Sequence, residues 1–264
     1  MKKVYLILAL LLPVLAQAQR KFTASTAIWP ELQFTYGVNE QGLLFLQNQY
    51  RVNTDSRYND LLGNGAFHSV ERVELTVGYE QTFTDHWRGG AMLRYAAEDF
   101  PKILFPTLFL RHNGRIGGLY FNKQALFEYV MQEESDRYGR VRLQAELGKR
   151  LPLGSKFLTP ALRYEAMLLT DLAGDKDIVE EERIIDRTRL RLSLNYELTE
   201  TLRIAPYFMR QTDYYYVQVP PTYSEDGLLL EEGYATKRNR ISPVVGLELK
   251  YNLHAPSNSA SITY

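Results

Sequence analysis

The chain has 264 residues, and its 31 Lys plus Arg balance 31 Asp plus Glu, leaving a formal net charge of zero and a pI of about 6.9. A nucleic-acid binder usually carries a basic excess, which this chain lacks. With no Cys there is no disulfide framework, no thiolate metal site and no lipoprotein anchor.

Met1 to Ala18 reads as a secretory signal peptide. Lys2 and Lys3 form a positive n-region, Val4 to Leu15 is an apolar run too short to span a bilayer, and Ala16-Gln17-Ala18 is a small-x-small cleavage site. The domain division is therefore 1–18 as signal peptide and 19–264 as one β domain.

Past Gln19 the chain alternates polar and apolar residues with a period of two, the period of a strand. Phe22 to Tyr36 is β-rich, with Trp29-Pro30 as an expected break, and Asn39 to Gly42 is a tight turn. Leu43 to Thr54 sets Leu44, Leu46, Tyr50 and Val52 against Gln47, Gln49 and Arg51, and a polar loop spans Asp55 to His68. Glu71 to Gln81 opposes Val73, Leu75, Val77 and Tyr79 to Arg72, Glu74, Thr76 and Glu80. Arg88 to Glu98 follows a short turn at Thr84 to Trp87. Ile103 to Arg111 is a strand closed by a hairpin signal at His112-Asn113-Gly114-Arg115. Ile116 to Met131, Arg140 to Lys149 and Phe157 to Thr170 continue the pattern, with a turn at Pro152 to Ser155 and an acidic loop from Asp171 to Glu182. Arg187 to Leu198 is the clearest case: Arg187, Arg189, Arg191, Ser193, Asn195 and Glu197 share one parity, and Thr188, Leu190, Leu192, Leu194, Tyr196 and Leu198 the other. Leu202 to Val217 and Arg240 to Leu253 complete the series.

The connections alternate between short turns and longer polar loops, the asymmetry of outer-membrane barrels with short periplasmic turns and longer extracellular loops. The predicted strands run to about ten residues or more, against a mode of about five or six in soluble sheets. The fold expected is all-β: a closed antiparallel up-and-down transmembrane β-barrel. The segments tally as eleven. Because single-chain bacterial barrels normally have an even number, the expectation is twelve strands, obtained by splitting the first segment at Trp29-Pro30, with ten as the fallback.

The signal peptide, Trp29 early in the first strand, the Tyr-rich meanders and Arg51 ending the second strand together resemble the domain-of-unknown-function 2490 family of predicted outer-membrane β-barrel proteins. The resemblance covers nearly all of the mature chain. It implies location and fold and supplies no activity.

Twelve ionic residues fall on the polar parity and form an expected lumen charge network: Glu74, Arg94, Arg111, Glu128, Arg142, Glu146, Arg163, Glu165, Arg189, Arg191, Glu197 and Glu248. Trp29, Trp87, Tyr214, Tyr215, Tyr216 and Tyr251 fall near strand ends and form an expected aromatic girdle. Of four His, only His68, beside Ser69, lies toward the long-loop side; it is a weak catalytic candidate, and an ordinary loop His is the plainer reading. No metal or cofactor motif appears; Glu180 to Glu182 and Glu225-Asp226 read as solvated acidic loops. Lys237-Arg238-Asn239-Arg240 at an outer strand start could meet lipopolysaccharide phosphates. Three functions follow as alternatives. The first is a monomeric, non-enzymatic outer-membrane barrel acting as a narrow pore or a structural or surface-binding protein, with the bilayer, lipopolysaccharide and a small solute as partners and no nucleic acid. The second is a barrel hydrolase using His68. The third is a soluble periplasmic β-protein binding an apolar ligand.

Overall fold

Each alternating segment becomes a strand, because only a period of two puts all its apolar residues on one face. The computed structural model describes residues 20–59, 61, 70–98, 102–133, 137–170, 184–224 and 228–253. In chain order the strands are β1 (Arg20–Thr23), β2 (Ala27–Gly37), β3 (Gly42–Asn53), β4 (Arg72–Thr82), β5 (Trp87–Ala97), β6 (Ile103–Ile116), β7 (Leu119–Gln132), β8 (Tyr138–Gly148), β9 (Leu151–Leu153), β10 (Lys156–Thr170), β11 (Ile185–Glu197), β12 (Leu202–Val219), β13 (Thr222–Tyr223), β14 (Leu229–Glu231) and β15 (Tyr234–Leu253). No helix among the described residues is long and apolar enough to cross a membrane, a statement that does not bear on spanning by strands.

Neighbours in sequence pair antiparallel from β2 through β8, then β10, β11, β12 and β15. The sheet closes when β15 pairs with β2, from Val244 beside Ala27 to Leu253 beside Tyr36. That seam is parallel. Eleven staves is an odd number, so the first and last run in the same direction, and the twelve-strand expectation is corrected to eleven. Trp29-Pro30 does not split the first segment. Pro30 lies inside β2, and the β2–β3 ladder resumes beyond it in the same register, Ile28 opposite Val52 and Glu31 opposite Gln49. A proline removes one donor from a ladder, and here the strand runs on through the gap. The real interruption is at residues 24–26, and it adds no stave, because β1 also pairs in parallel with β15, Arg20 opposite Arg238.

The hairpin expected at His112 to Arg115 is also displaced. Both β6 and β7 run on to Ile116 and Leu119, and the turn is Gly117-Gly118, with Gly117 at φ +58°. Three other short turns share a local device. The Asn39 side chain accepts from the backbone N–H of Gln41 and Gly42, Thr84 from those of His86 and Trp87, and Thr199 from those of Thr201 and Leu202. Such side-chain turns reverse the chain in few residues.

At the opposite end, β12 and β15 overhang their neighbours. They pair with each other as far as Val219 and Tyr234, whereas pairing of β11 with β12 stops at Arg187 and Asp213.

Burial follows strand parity around the ring. In β2 it alternates without a break, with Ala27, Trp29, Glu31, Gln33 and Thr35 buried and the residues between them exposed. In β11, Leu190, Leu192 and Leu194 face outward, Leu192 with 55% of its surface exposed, while Arg191 is 8% exposed inside. The wall is thus apolar outside and polar and ionic inside. Small apolar clusters interrupt the inner wall: Phe45, Met92, Phe109 and Leu126 form one, and Ala27, Trp29, Tyr207, Met209 and Val244 line the seam in another. Gly246 admits the Tyr207 ring there; a Cβ at that position would meet its Cζ at 2.0 Å.

Candidate functional site

Among the described residues, ionisable side chains converge in the interior of the barrel. Glu128 on β7 is fully buried and accepts from Arg94 Nη2 at 2.7 Å, Arg140 Nε at 2.6 Å and Arg142 Nη1 at 2.9 Å. Arg142 reaches across to Glu165 Oε2 at 2.8 Å, which also accepts from Gln144, and Arg189 meets Glu165 at 3.3 Å. Four arginines therefore share two carboxylates. Strand geometry sets this up: Glu128, Arg142, Glu165 and Arg189 stand on the inward parity of β7, β8, β10 and β11, consecutive staves of the ring.

Further groups flank this one. Glu74 holds Arg51 at 2.5 Å and Arg72 at 2.7 Å, and Arg72 continues to Glu98 at the long-loop end. Beside the seam Arg191 donates to Glu248 at 2.6 Å and Lys250 meets Glu248 at 3.2 Å, while across it Arg191 lies 3.8 Å from Glu31 and the Tyr207 hydroxyl donates to Glu31. The Arg191 guanidinium stacks 3.5 Å from the centroid of the Tyr207 ring. Arg163 pairs with Glu146 at 2.5 Å, Glu80 lies between Arg88 and Arg111, and Glu197 lies between Arg203 and the exposed Arg150 near the short-turn end. Such pairing is what burial requires, since an isolated buried charge is costly.

All twelve ionic residues expected on the polar parity lie on the inner wall, and each is in one of these groups. Sequence reasoning left out Glu31, Arg51, Arg72, Glu80, Arg88, Arg140 and Lys250. Most of these were legible, because they stand on the same parity as their polar neighbours. Tyr207 was not, since an apolar ring on a lumenal position carries no polar signature.

The aromatic residues divide. Trp29 is corrected: it is not a girdle residue but sits inside, 5% exposed, under the Arg51 guanidinium at 4.2 Å and near that of Arg189 at 5.4 Å. Its position near a strand end was right; its parity is that of Glu31 and Gln33. Trp87 is exposed at the short-turn end, edge-on to His112 at 4.8 Å, and Tyr251 is on the outer wall against Phe34. Tyr214, Tyr215 and Tyr216 lie on the overhanging β12–β15 hairpin, where Tyr214 hydrogen-bonds Thr188 and Lys237 sits 5.5 Å from the Tyr216 ring.

His68, Ser69, His254, both acidic loops and the signal peptide lie outside the described residues. His86 and His112 stack at the short-turn end. Among the described residues no cluster of His, Asp or Glu is arranged to hold a metal ion.

Among the ionic groups lies a crevice of about 70 Å³, walled by Trp29, Arg51, Arg94, Arg142, Arg189 and Arg191 among others. A cavity needs about 10–15 Å³ by the same measure to hold one water, so this crevice has room for a few.

No family profile and no curated protein matches the chain. Among solved structures, one titled as a NanC porin in a rhombohedral crystal form aligns with 84% of this chain and 91% of that chain, at 13% identity and a TM-score of 0.43.

Proposed function

We propose that the protein is an integral outer-membrane β-barrel without catalytic chemistry of its own, whose lumen is closed to all but small solutes by its ion pairs. The observation that carries this reading is the inversion of the wall. Leucine, valine, phenylalanine and isoleucine cover its outside at high exposure, including Ile28, Leu46, Val77, Leu108, Phe127, Leu192, Phe208 and Val245. A soluble monomer rarely exposes a contiguous apolar patch larger than a few hundred Å². In a bilayer the same surface is solvated by hydrocarbon, and the closed ring leaves no strand edge exposed to it. The apolar-ligand binder is disfavoured by the same fact, because the apolar parity faces out and the enclosed space is ionic.

Eleven staves give a narrow barrel, since width grows with strand number, and arginines reaching across it to glutamates take up most of the section. Transport, where it occurs, is of small solutes. A structural or surface-binding role is the complementary reading, favoured by the overhanging hairpin. Its strand β15 carries Lys237, Arg238 and Arg240, cations that would pair with lipopolysaccharide phosphates by charge-assisted hydrogen bonds. A signal peptide at 1–18 and a monomeric state belong to this reading, as does the resemblance to the 2490 family.

Planar-bilayer recording from purified, refolded protein tests the narrow lumen. The expected result is a small or unresolved conductance; a large, steady open-channel current at neutral pH would overturn the filled-lumen part of the proposal.

A further inference from the structure

The crevice in the lumen has an unequal supply of hydrogen-bonding groups. The buried polar atoms of its wall that lack a partner are Trp29 Nε1 and the Nε atoms of Arg94, Arg142 and Arg191. All four are donors. Among the described residues of this wall no buried acceptor is left unmatched. The charges lean the same way: Arg94, Arg140, Arg142 and Arg189 share Glu128 and Glu165, and Arg51 shares Glu74 with Arg72.

Trp29 is where these two imbalances meet. Its ring faces the guanidinium groups of Arg51 at 4.2 Å and Arg189 at 5.4 Å, and its N–H, on a residue 5% exposed, has nothing to donate to. Two like charges on one indole repel each other, and a buried donor without a partner is unfavourable. Water can satisfy the donor but does not neutralise the surplus charge. An oxyanion does both, and the planar fork of a guanidinium matches a carboxylate better than a spherical ion. The free space of about 70 Å³ admits a group of only a few non-hydrogen atoms.

We propose that the lumen contains a binding site for one small carboxylate-type oxyanion, held by Trp29 Nε1–H with Arg51 and Arg189. The site rests on the closed barrel and not on passage of solute. The probe is acetate. In the Trp87→Phe protein, Trp29 is the sole indole, because the chain has only two Trp. Sodium acetate is titrated against sodium fluoride at constant ionic strength in detergent micelles, with Trp29 emission as the readout. The expected result is a saturable change whose half-saturating concentration rises at least tenfold in Arg189→Gln and stays unchanged in Arg88→Gln, a lumenal arginine that is not on the crevice wall and lies beside Glu80. Folding is checked by heat-modifiable gel mobility. Where Arg189→Gln does not fold, Arg51→Lys decides: it keeps the charge and loses the fork, and its half-saturation rises severalfold. The absence of a saturable response in the parent, or an unchanged one in the arginine variants, overturns the site. Emission does not require conduction, so a wide-open channel in the bilayer experiment would defeat the narrow-pore reading and leave this one standing or falling on its own result.

Discussion

Glu128 is wholly buried and is the acceptor for three arginines, Arg94, Arg140 and Arg142. Removing one partner of a buried ion pair destabilises by about 3–5 kcal/mol, because the charges left behind are uncompensated. Glu128→Gln keeps the shape and removes the charge, leaving Arg142 to share Glu165 with Arg189 and giving Arg94 and Arg140 only an amide oxygen. The expected loss is about 3 kcal/mol in urea unfolding from lipid vesicles, and a change below about 1 kcal/mol would show that lumenal water already screens the cluster. At this scale the sequence was most informative where parity and chemistry agree, as for Glu128, Arg142 and Glu165. It misled at Trp29. An indole near a strand end fits an interfacial position, but only parity decides which side of the wall it takes, and Trp29 shares the parity of Glu31. The same inward step brings it under the Arg51 guanidinium in the lumen.

At the scale of the strand, alternation specified β3, β4, β8, β10 and β11 because one face of each must be apolar, and a one-residue slip would turn the whole set around. Strand number was legible from the same alternation, whose segments tally as eleven, and it was the usual preference for an even count that moved the expectation to twelve. Pro30 was read as a break and is instead an outward residue in a continuous strand, while the actual interruption at 24–26 leaves β1 and β2 stacked end to end along β15. The parallel seam follows from the odd count and has its own test. Ile28 and Val245 are register partners across it, both exposed on the outer wall. The chain has no Cys of its own, so Ile28→Cys with Val245→Cys gives an unambiguous pair. Oxidation is expected to cross-link them and shift gel mobility. If a further strand were inserted between β15 and β2, it would hold the pair apart by an additional strand spacing of about 4.8 Å, and no bond would form.

The whole molecule is organised inside out relative to a soluble β-protein. Its buried polar and ionic groups are inside the wall and its apolar surface is outside, and on the proposed reading the solvent for the fold is split, hydrocarbon outside and ions and water within. Spin-label scanning along β11 tests that division directly. Single cysteines from Arg189 through Glu197 are labelled with a nitroxide, and the protein is reconstituted in vesicles. Collision rates are then measured with oxygen, which concentrates in lipid, and with a water-soluble nickel chelate. The account predicts a period of two, with labels at Leu190, Leu192 and Leu194 relaxed by oxygen and shielded from nickel, and labels at Arg191, Ser193 and Asn195 shielded from lipid oxygen. Labels at the leucine positions that are inaccessible to oxygen, or relaxed by nickel as strongly as loop positions, would contradict it.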